Sequence, residues 1–185
     1  MGEIDDAIER ADQESFTRQP PKTLKGQVGY LIKQLGSAKA VAQEIGVTAD
    51  SVNRYRRGAR KHARADVAAK LDDAVRQRWQ PQVRKRRQKQ AAASGGITVE
   101  TRARFGYTAP VGTTDDGRFR RLTVHLPPAY AQRLFDARNT GASDQHMRGI
   151  IAEGFKEVYF QDGGGRATGL SDVEINEIDY LDLDY

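Results

Sequence analysis

The sequence predicts a mostly α-helical protein with a small α+β part, in which a helix-turn-helix bundle precedes a strand-helix-helix domain. Three patterns indicate this fold class: apolar residues at helical spacing around Gly46, strict alternation from Leu122 to Leu126, and an apolar stripe from Met147 to Tyr159. We expect five segments along the chain. They are an acidic N-terminal segment (1–21), a helix-turn-helix DNA-binding domain (22–80), a basic linker (81–97), an α+β domain (98–162) and an acidic tail (163–185).

Residues 37–58 have the pattern of a helix-turn-helix. Ala42 is small where two helices cross, Gly46 suits a turn with positive φ, and Thr48 can cap the second helix. The face left over on that helix carries side chains that bond base edges and phosphates in a major groove, namely Ser51, Asn53, Arg54 and Arg57. The alternative is a plain three-helix bundle with a solvated polar face. Further helices are expected over Leu24–Leu35 and Arg64–Trp79.

Positive charge is concentrated next to this motif. From Arg54 to Lys89 the chain has fourteen Lys or Arg against three acids, although its net charge is only +5. Charge separated in this way predicts a polyanionic partner and binding that weakens steeply with salt. The expected phosphate contacts are Arg60, Lys61, Arg84, Lys85, Arg86, Arg87 and Lys89. A membrane partner is not expected, because no amphipathic helix with a bulky apolar face accompanies the charge.

The amino-acid composition indicates the cellular compartment and excludes several kinds of chemical site. The chain has no cysteine, which excludes disulfides and thiolate metal sites, and its three histidines lack metal-ligand spacing. The acidic N-terminus has no apolar signal region, so we expect a cytoplasmic, nucleoid-associated protein. Adjacent Asp115 and Asp116 would point opposite ways in a strand, and there is no P-loop. A self-sufficient enzyme is therefore not expected.

The second domain begins with a strand over residues 101–109, followed by turn-forming residues 112–117. In the next strand Leu122, Val124 and Leu126 face one way, while Arg121, Thr123 and His125 face the other. Pro127-Pro128 starts one helix and Ser143 caps the next. This order is typical of a ribbon-helix-helix homodimer, whose exposed strand face enters a major groove. The alternative is a small α+β domain whose strand pairs only with residues 101–109.

The two acidic ends of the chain carry less information. Ile4, Ala7 and Ile8 favour a short helix that is marginal on its own. After Gly163-Gly164-Gly165, acids alternate with apolar residues as far as Tyr185. Such a tail can dock on a partner, compete with DNA for a basic surface, or simply end the chain in solvent.

The order of these features resembles that of the telomere-protecting (Tpg-type) terminal proteins of linear actinobacterial chromosomes and plasmids. The resemblance runs from MGEIDDAIERADQESFTRQPPKTLKGQVGYLIKQL to the terminal LDLDY. It implies covalent attachment to the 5′ ends of the replicon, with a threonine hydroxyl priming the patching of the recessed end. Within the segment VGTTDDGR it assigns that role to Thr114. It also implies telomeric DNA, a telomere-associated protein on the 3′ overhang, and a host DNA polymerase as partners.

A priming hydroxyl must enter the active site of another protein, and a turn-rich segment suits that task. Asp115 could orient the Thr114 hydroxyl, and Arg118 could offset the charge of the incoming deoxynucleoside triphosphate, which the polymerase would use with Mg²⁺. Without the resemblance, Thr113 and Thr114 are ordinary turn hydroxyls. The alternative function is therefore a helix-turn-helix transcriptional or partition regulator that binds DNA without covalent chemistry.

Overall fold

A computed structural model describes residues 2–108, 118–167 and 169–185. The chain divides into a helical unit, Phe16–Pro81, and a mixed unit, Met1–Ser15 with Gln82–Tyr185. The helices are α1 (Glu3–Glu14), α2 (Leu24–Leu35), α3 (Ala38–Ile45), α4 (Ala49–Arg57), α5 (Ala65–Arg78), α6 (Pro81–Gln90), α7 (Pro128–Asn139) and α8 (Asp144–Phe155). The strands are β1 (Ile97–Thr108), β2 (Arg118–Leu126) and β3 (Asp172–Asp184). The predicted class, mostly α with a small α+β part, is confirmed.

In the helical unit, α2 to α5 enclose one apolar core. The core is made of Val28, Leu31, Val41, Ala42, Ile45, Val52, Tyr55, Val67, Leu71, Ala74 and Val75. Thr23, Ser37 and Thr48 each accept a hydrogen bond from a backbone N–H of the helix that follows. Because these caps satisfy otherwise unpaired N–H groups, they set where α2, α3 and α4 begin.

The turn between α3 and α4 depends on Gly46. Its φ of 70° lies in the left-handed region, where a side chain is strained, and its position ends α3. Val47 then donates a backbone hydrogen bond to the Ala42 carbonyl, which closes the turn. Two short helices therefore pack against each other with only three residues between them.

In the mixed unit, α1, α7 and α8 pack on one face of a three-stranded antiparallel sheet of order β2-β1-β3. Alternate residues of each strand face these helices, for example Val99, Phe105, Val124 and Leu183. The opposite face, called here the outer face, is not covered by any helix described in the mixed unit. The residues predicted to line up on one side of β2, Arg121, Thr123 and His125, lie on this outer face.

The basic linker predicted over 81–97 is wrong, because residues 81–90 form α6 and residues 91–95 a π-helical turn. Lys, Arg and Gln are good helix formers, so a charged run without apolar periodicity can still be helical when one side packs. Arg84 and Ala91 provide that buried side.

The chain ends also differ from the expectation. Ile4, Ala7 and Ile8 of α1 are fully buried in the core of the mixed unit. The acidic tail expected over 163–185 does not end free in solvent, because β3 pairs with β1 along Thr98–Thr108. Its alternating acids point outward while Val173, Ile175, Leu181 and Leu183 are buried. Both ends thus complete one core with residues far away in sequence.

Candidate nucleic-acid interface

The excess positive charge of the protein belongs to the helical unit. Residues 16–81 contain fourteen Lys and Arg against five Asp and Glu, a net charge of +9. The mixed unit contains sixteen Lys and Arg against twenty acids, a net charge of −4. The positive charge that could attract a polyanion therefore lies in the helical unit, and the basic run seen in the sequence is divided between the two units.

The face of α4 opposite its buried Val52 and Tyr55 is polar. Arg54 and Arg57 are exposed, and Asn53 is half-buried beside them. The Arg54 guanidinium lies 2.9 Å from the Asp50 carboxylate, an exposed i,i+4 pair that is worth little in stability. The Ser51 hydroxyl lies 3.0 Å from the capping hydroxyl of Thr48, at the start of the helix. The four residues predicted for this face are thus brought together on one short helix.

Arg60 and Lys61 are exposed in the segment that joins α4 to α5. Their charges continue the basic surface from the C-terminal end of α4. No described acid lies within ion-pair distance of either side chain.

Arg84 does not fit its predicted role. Its guanidinium donates two hydrogen bonds of 2.8 Å to the two oxygens of Glu9, and it lies 3.5 Å from the Asp12 carboxylate. The side chain is only 10% exposed. A buried guanidinium that already binds a carboxylate on both prongs cannot also reach a phosphate, so the prediction that Arg84 contacts DNA is wrong.

Arg84 belongs to a buried charge cluster, defined here as Asp5, Glu9, Asp12, Arg84 and Arg138. Arg138 of α7 contacts Asp5 at 2.6 Å and both Glu9 and Asp12 at 3.1 Å. Burial raises the pKa of the Glu9 carboxyl, but the hydrogen bonds from its arginine partners outweigh it and hold the pKa below its usual value. The cluster joins α1, α6 and α7, and it serves the fold of the mixed unit.

The other basic residues of α6 are placed differently. Lys85, Arg86 and Lys89 are exposed, and Arg87 is half-buried with Asp184 4.0 Å away. They remain available for phosphate contacts. Lys85 and Lys89 also line a shallow cavity between α6 and α7.

The predicted residues of β2 lie on the outer face of the sheet. Arg121 is paired with Glu100 at 2.7 Å, and its side chain is 73% exposed. The His125 Nδ1 lies 3.1 Å from the Thr98 hydroxyl across the strand pair. Thr123 is exposed between them. Phe119, which the same alternation places on this face, was not predicted as a site residue, although its position two residues before Arg121 indicates it.

The predicted acceptor Thr114 and its neighbour Asp115 lie outside the described residues. The structure describes both flanks, since β1 ends at Thr108 and β2 begins at the exposed Arg118. Thr114 lies four positions before Arg118 in the chain. The described flanks of the segment lie at the same end of the sheet, since Phe105 of β1 pairs with Arg118 of β2.

Tyrosine hydroxyls are the competing acceptors, and most are occupied. Those of Tyr30 and Tyr185 donate to the Arg78 carbonyl and to Asp12. Tyr130 donates to Glu157, and both burial and this carboxylate raise the pKa of Tyr130. These three hydroxyls are poorly placed to act as nucleophiles. The Tyr107 hydroxyl, on the strand leading to the Thr114 segment, has no hydrogen-bond partner among the described residues, but it is buried, and burial raises its pKa.

Comparisons with protein-family models, curated proteins and solved structures find no match for the chain. Within the part of the chain that the structure describes, no helix is long and apolar enough to cross a bilayer. In the same residues, no three His, Asp or Glu side chains are grouped to hold a metal ion.

Proposed function

We propose that the protein is a terminal protein attached covalently to the 5′ DNA ends of a linear replicon, with the Thr114 hydroxyl as primer. The observation that carries the DNA-binding part is the net charge of +9 on the helical unit, beside the exposed polar face of α4. The acceptor part is supported by the resemblance to terminal proteins and by the occupied tyrosine hydroxyls.

In this proposal α3 and α4 form a helix-turn-helix, and α4 enters the major groove. A helix is about 10–12 Å wide with its side chains, which matches a groove about 12 Å wide. Asn53, Arg54 and Arg57 would then meet base edges, while Arg60 and Lys61 meet phosphates. Asp50 would hold the Arg54 guanidinium in place before DNA arrives.

Replacing Arg54 by Ala is expected to reduce the preference for a cognate duplex over a base-substituted one by about 1–3 kcal/mol, the discrimination of one bidentate base contact. Arg56→Ala is the matched control, because Arg56 is exposed on the same helix but was not assigned to the groove. It should weaken both duplexes equally. Fluorescence anisotropy with a duplex selected from a random pool measures both variants, and equal behaviour of the two would contradict the placement of α4.

Replacing Lys85, Arg86 and Lys89 together by Ala is expected to make the salt dependence of duplex binding shallower, by about 0.9 in log–log slope for each lost phosphate contact. Arg84 is kept, because its removal would disturb the buried charge cluster. Arg133→Ala on α7 serves as the control for loss of an exposed arginine elsewhere in the mixed unit. An unchanged slope in the triple variant removes α6 from the interface.

In the covalent step, the Thr114 oxygen attacks the α-phosphorus of a deoxynucleoside triphosphate. A phosphodiester forms, pyrophosphate leaves, and the hydroxyl proton passes to the active site of the partner DNA polymerase, which supplies Mg²⁺. Asp115 would orient the hydroxyl, and the exposed Arg118 would approach the triphosphate. A telomere-associated protein on the 3′ overhang would bring the protein to telomeric DNA.

The order of β2, α7 and α8 is the strand-helix-helix order of a ribbon-helix-helix homodimer. Two copies could pair only along the edge of β2, which has no partner strand in the described residues. Joining two copies there would give six strands, with the outer strands about 24 Å apart. Such a sheet is twice as wide as the major groove, so its face would lie across the groove rather than enter it. We therefore assign duplex recognition to α4, and the homodimer stays a prediction.

A non-covalent transcriptional or partition regulator is the second candidate. It is favoured by one observation, since the net charge of +9 belongs to the helical unit, whereas Thr114 belongs to the mixed unit. Protein isolated from cells distinguishes the two functions. The terminal protein should carry DNA that survives boiling in detergent and is released by alkali, whereas a regulator should carry none.

A further inference from the structure

The outer face of the sheet has a shallow cavity beside an exposed aromatic ring. Among the described residues, Phe119 is the only large apolar residue that is more than half exposed, at 52%. The cavity beside it has a volume of about 430 Å³ and is lined by Arg102, Phe119, Glu177, Ile178 and Asp179. The Arg102 guanidinium lies 5.9 Å from the centre of the Phe119 ring. A half-exposed phenylalanine held beside an arginine offers a flat surface on which another ring can stack.

Two irregularities in β3 shape this cavity. The register between β1 and β3 shifts at Arg102/Ala103 and again at Arg104/Phe105, so that Asp179 and Asn176 are extra residues on β3. Between the two shifts, Glu177 lies across from Arg104, which in turn lies across from Phe119. Bulges of this kind redirect side chains and are common beside binding sites. Here they place two carboxylates, those of Glu177 and Asp179, on the same cavity as the Phe119 ring.

We propose that this cavity binds an unpaired base of single-stranded DNA, stacked on Phe119. The amino group of the base would donate to Glu177 and to the second oxygen of Asp179, whose first oxygen accepts a hydrogen bond of 2.7 Å from Arg102. Cytosine, adenine and guanine fit this set of acceptors, because each presents an amino group on its Watson–Crick edge, whereas thymine has no amino group and presents carbonyl oxygens. Stacking on an aromatic side chain is the usual way in which proteins hold single-stranded bases.

The charges on the outer face match one DNA strand rather than two. On the outer face, Arg121 and His125 lie along β2, whereas the exposed acids Asp179, Asp182 and Asp184 lie along β3. A single strand can place its phosphates over β2 and direct its bases toward β3. A duplex would place its second backbone over the acids of β3, which repel it only in part, because Arg102 lies 2.7 Å from Asp179 and Arg10 lies 3.2 Å from Asp182.

The cavity lies toward the end of the sheet from which the Thr114 segment leaves, since Phe119 is the second residue of β2. Under the proposed function, a strand held there would supply the template base for priming. That role rests on the proposed function, but the binding of single-stranded DNA does not.

The test uses the full chain with fluorescent dC and dT 12-mers and an excess of unlabelled random duplex to occupy the helical unit. Wild type should bind the dC oligonucleotide more tightly than the dT one. Phe119→Ala and Phe119→Leu should each weaken dC binding about 5- to 150-fold, the loss expected for one stacked base, whereas Phe119→Tyr should stay within about twofold of wild type. The double variant E177Q/D179N should lose the preference for dC.

Two results would overturn the inference. Unchanged dC binding by Phe119→Ala overturns the inference, and so does equal binding of dC and dT by wild type. Unchanged dC binding by Phe119→Ala would indicate that the exposed Phe119 ring contacts a protein partner instead of DNA. Because Phe119 is half exposed, its replacement should not unfold the chain, and circular dichroism checks this. If Thr114 is labelled but Phe119→Ala leaves dC binding unchanged, this inference fails and the proposed function stands. If dC binding depends on Phe119 but Thr114 is not labelled, only the terminal-protein function fails.

Discussion

Thr114→Ala is expected to abolish the transfer of a labelled deoxynucleotide to the protein by its partner polymerase, while duplex affinity stays at the wild-type value. Alanine has no side-chain hydroxyl to form the phosphodiester, so transfer is lost. Duplex affinity is kept because the residues proposed to contact duplex DNA lie outside the Thr114 segment. Thr114→Ser should keep part of the transfer, since serine presents a hydroxyl at the same position. The measurement is radioactive nucleotide retained on the denatured chain.

Thr113→Ala is the matched control, because it removes the adjacent hydroxyl of the same type. It should label normally. The bond should also be cleaved in alkali by β-elimination, a route open to a phosphothreonine ester and closed to a tyrosine ester. Normal labelling of the Thr114→Ala variant, or an alkali-stable bond, would show that the acceptor is another residue.

Arg84→Ala is expected to destabilise the mixed unit by about 3–5 kcal/mol, the cost of removing one partner from a buried ion pair. Glu9 would lose two hydrogen bonds of 2.8 Å, and Asp12, which is 1% exposed, would lose a nearby cation. The remaining contacts of Arg138 at 3.1 Å would compensate in part. Hydrogen exchange of the β1 amides reports this unit, whereas Trp79, the single tryptophan, lies in the helical unit.

Arg86→Ala is the control for this variant, because Arg86 is exposed on the same helix and should change stability by no more than about 0.5 kcal/mol. The comparison also separates the two roles assigned to α6. If Arg84→Ala leaves exchange of the β1 amides unchanged but weakens DNA binding as much as Arg86→Ala does, then the buried charge cluster does not exist in solution and the guanidinium contacts phosphate.

Local patterns predicted most of the helical unit. The cap at Thr48, the turn at Gly46 and the buried faces of α3 and α4 each depend on residues close together in the chain. The sequence therefore predicts them directly. The alternation in β2 likewise predicted which of its residues are buried. Each of these features depends on residues a few positions apart in the chain, so a single sequence is enough to predict it.

The roles of the chain ends and of α6 needed the tertiary structure. Ile4 is buried only because the N-terminal helix packs on a sheet whose third strand comes from the last residues of the chain. The alternation of acids and apolar residues in β3 suits a strand or a docking tail equally, and only its pairing with β1 decides between them.

The sequence by itself determined the fold class, the polar face of α4 and the surplus of positive charge near it, because propensity, capping and charge are local properties. Only the tertiary structure showed that Arg84 is held by Glu9, seventy-five residues away in the chain, and that Phe119 stands exposed beside the bulges of β3. Both depend on contacts between distant segments, and their geometry is set by packing rather than by neighbours in sequence.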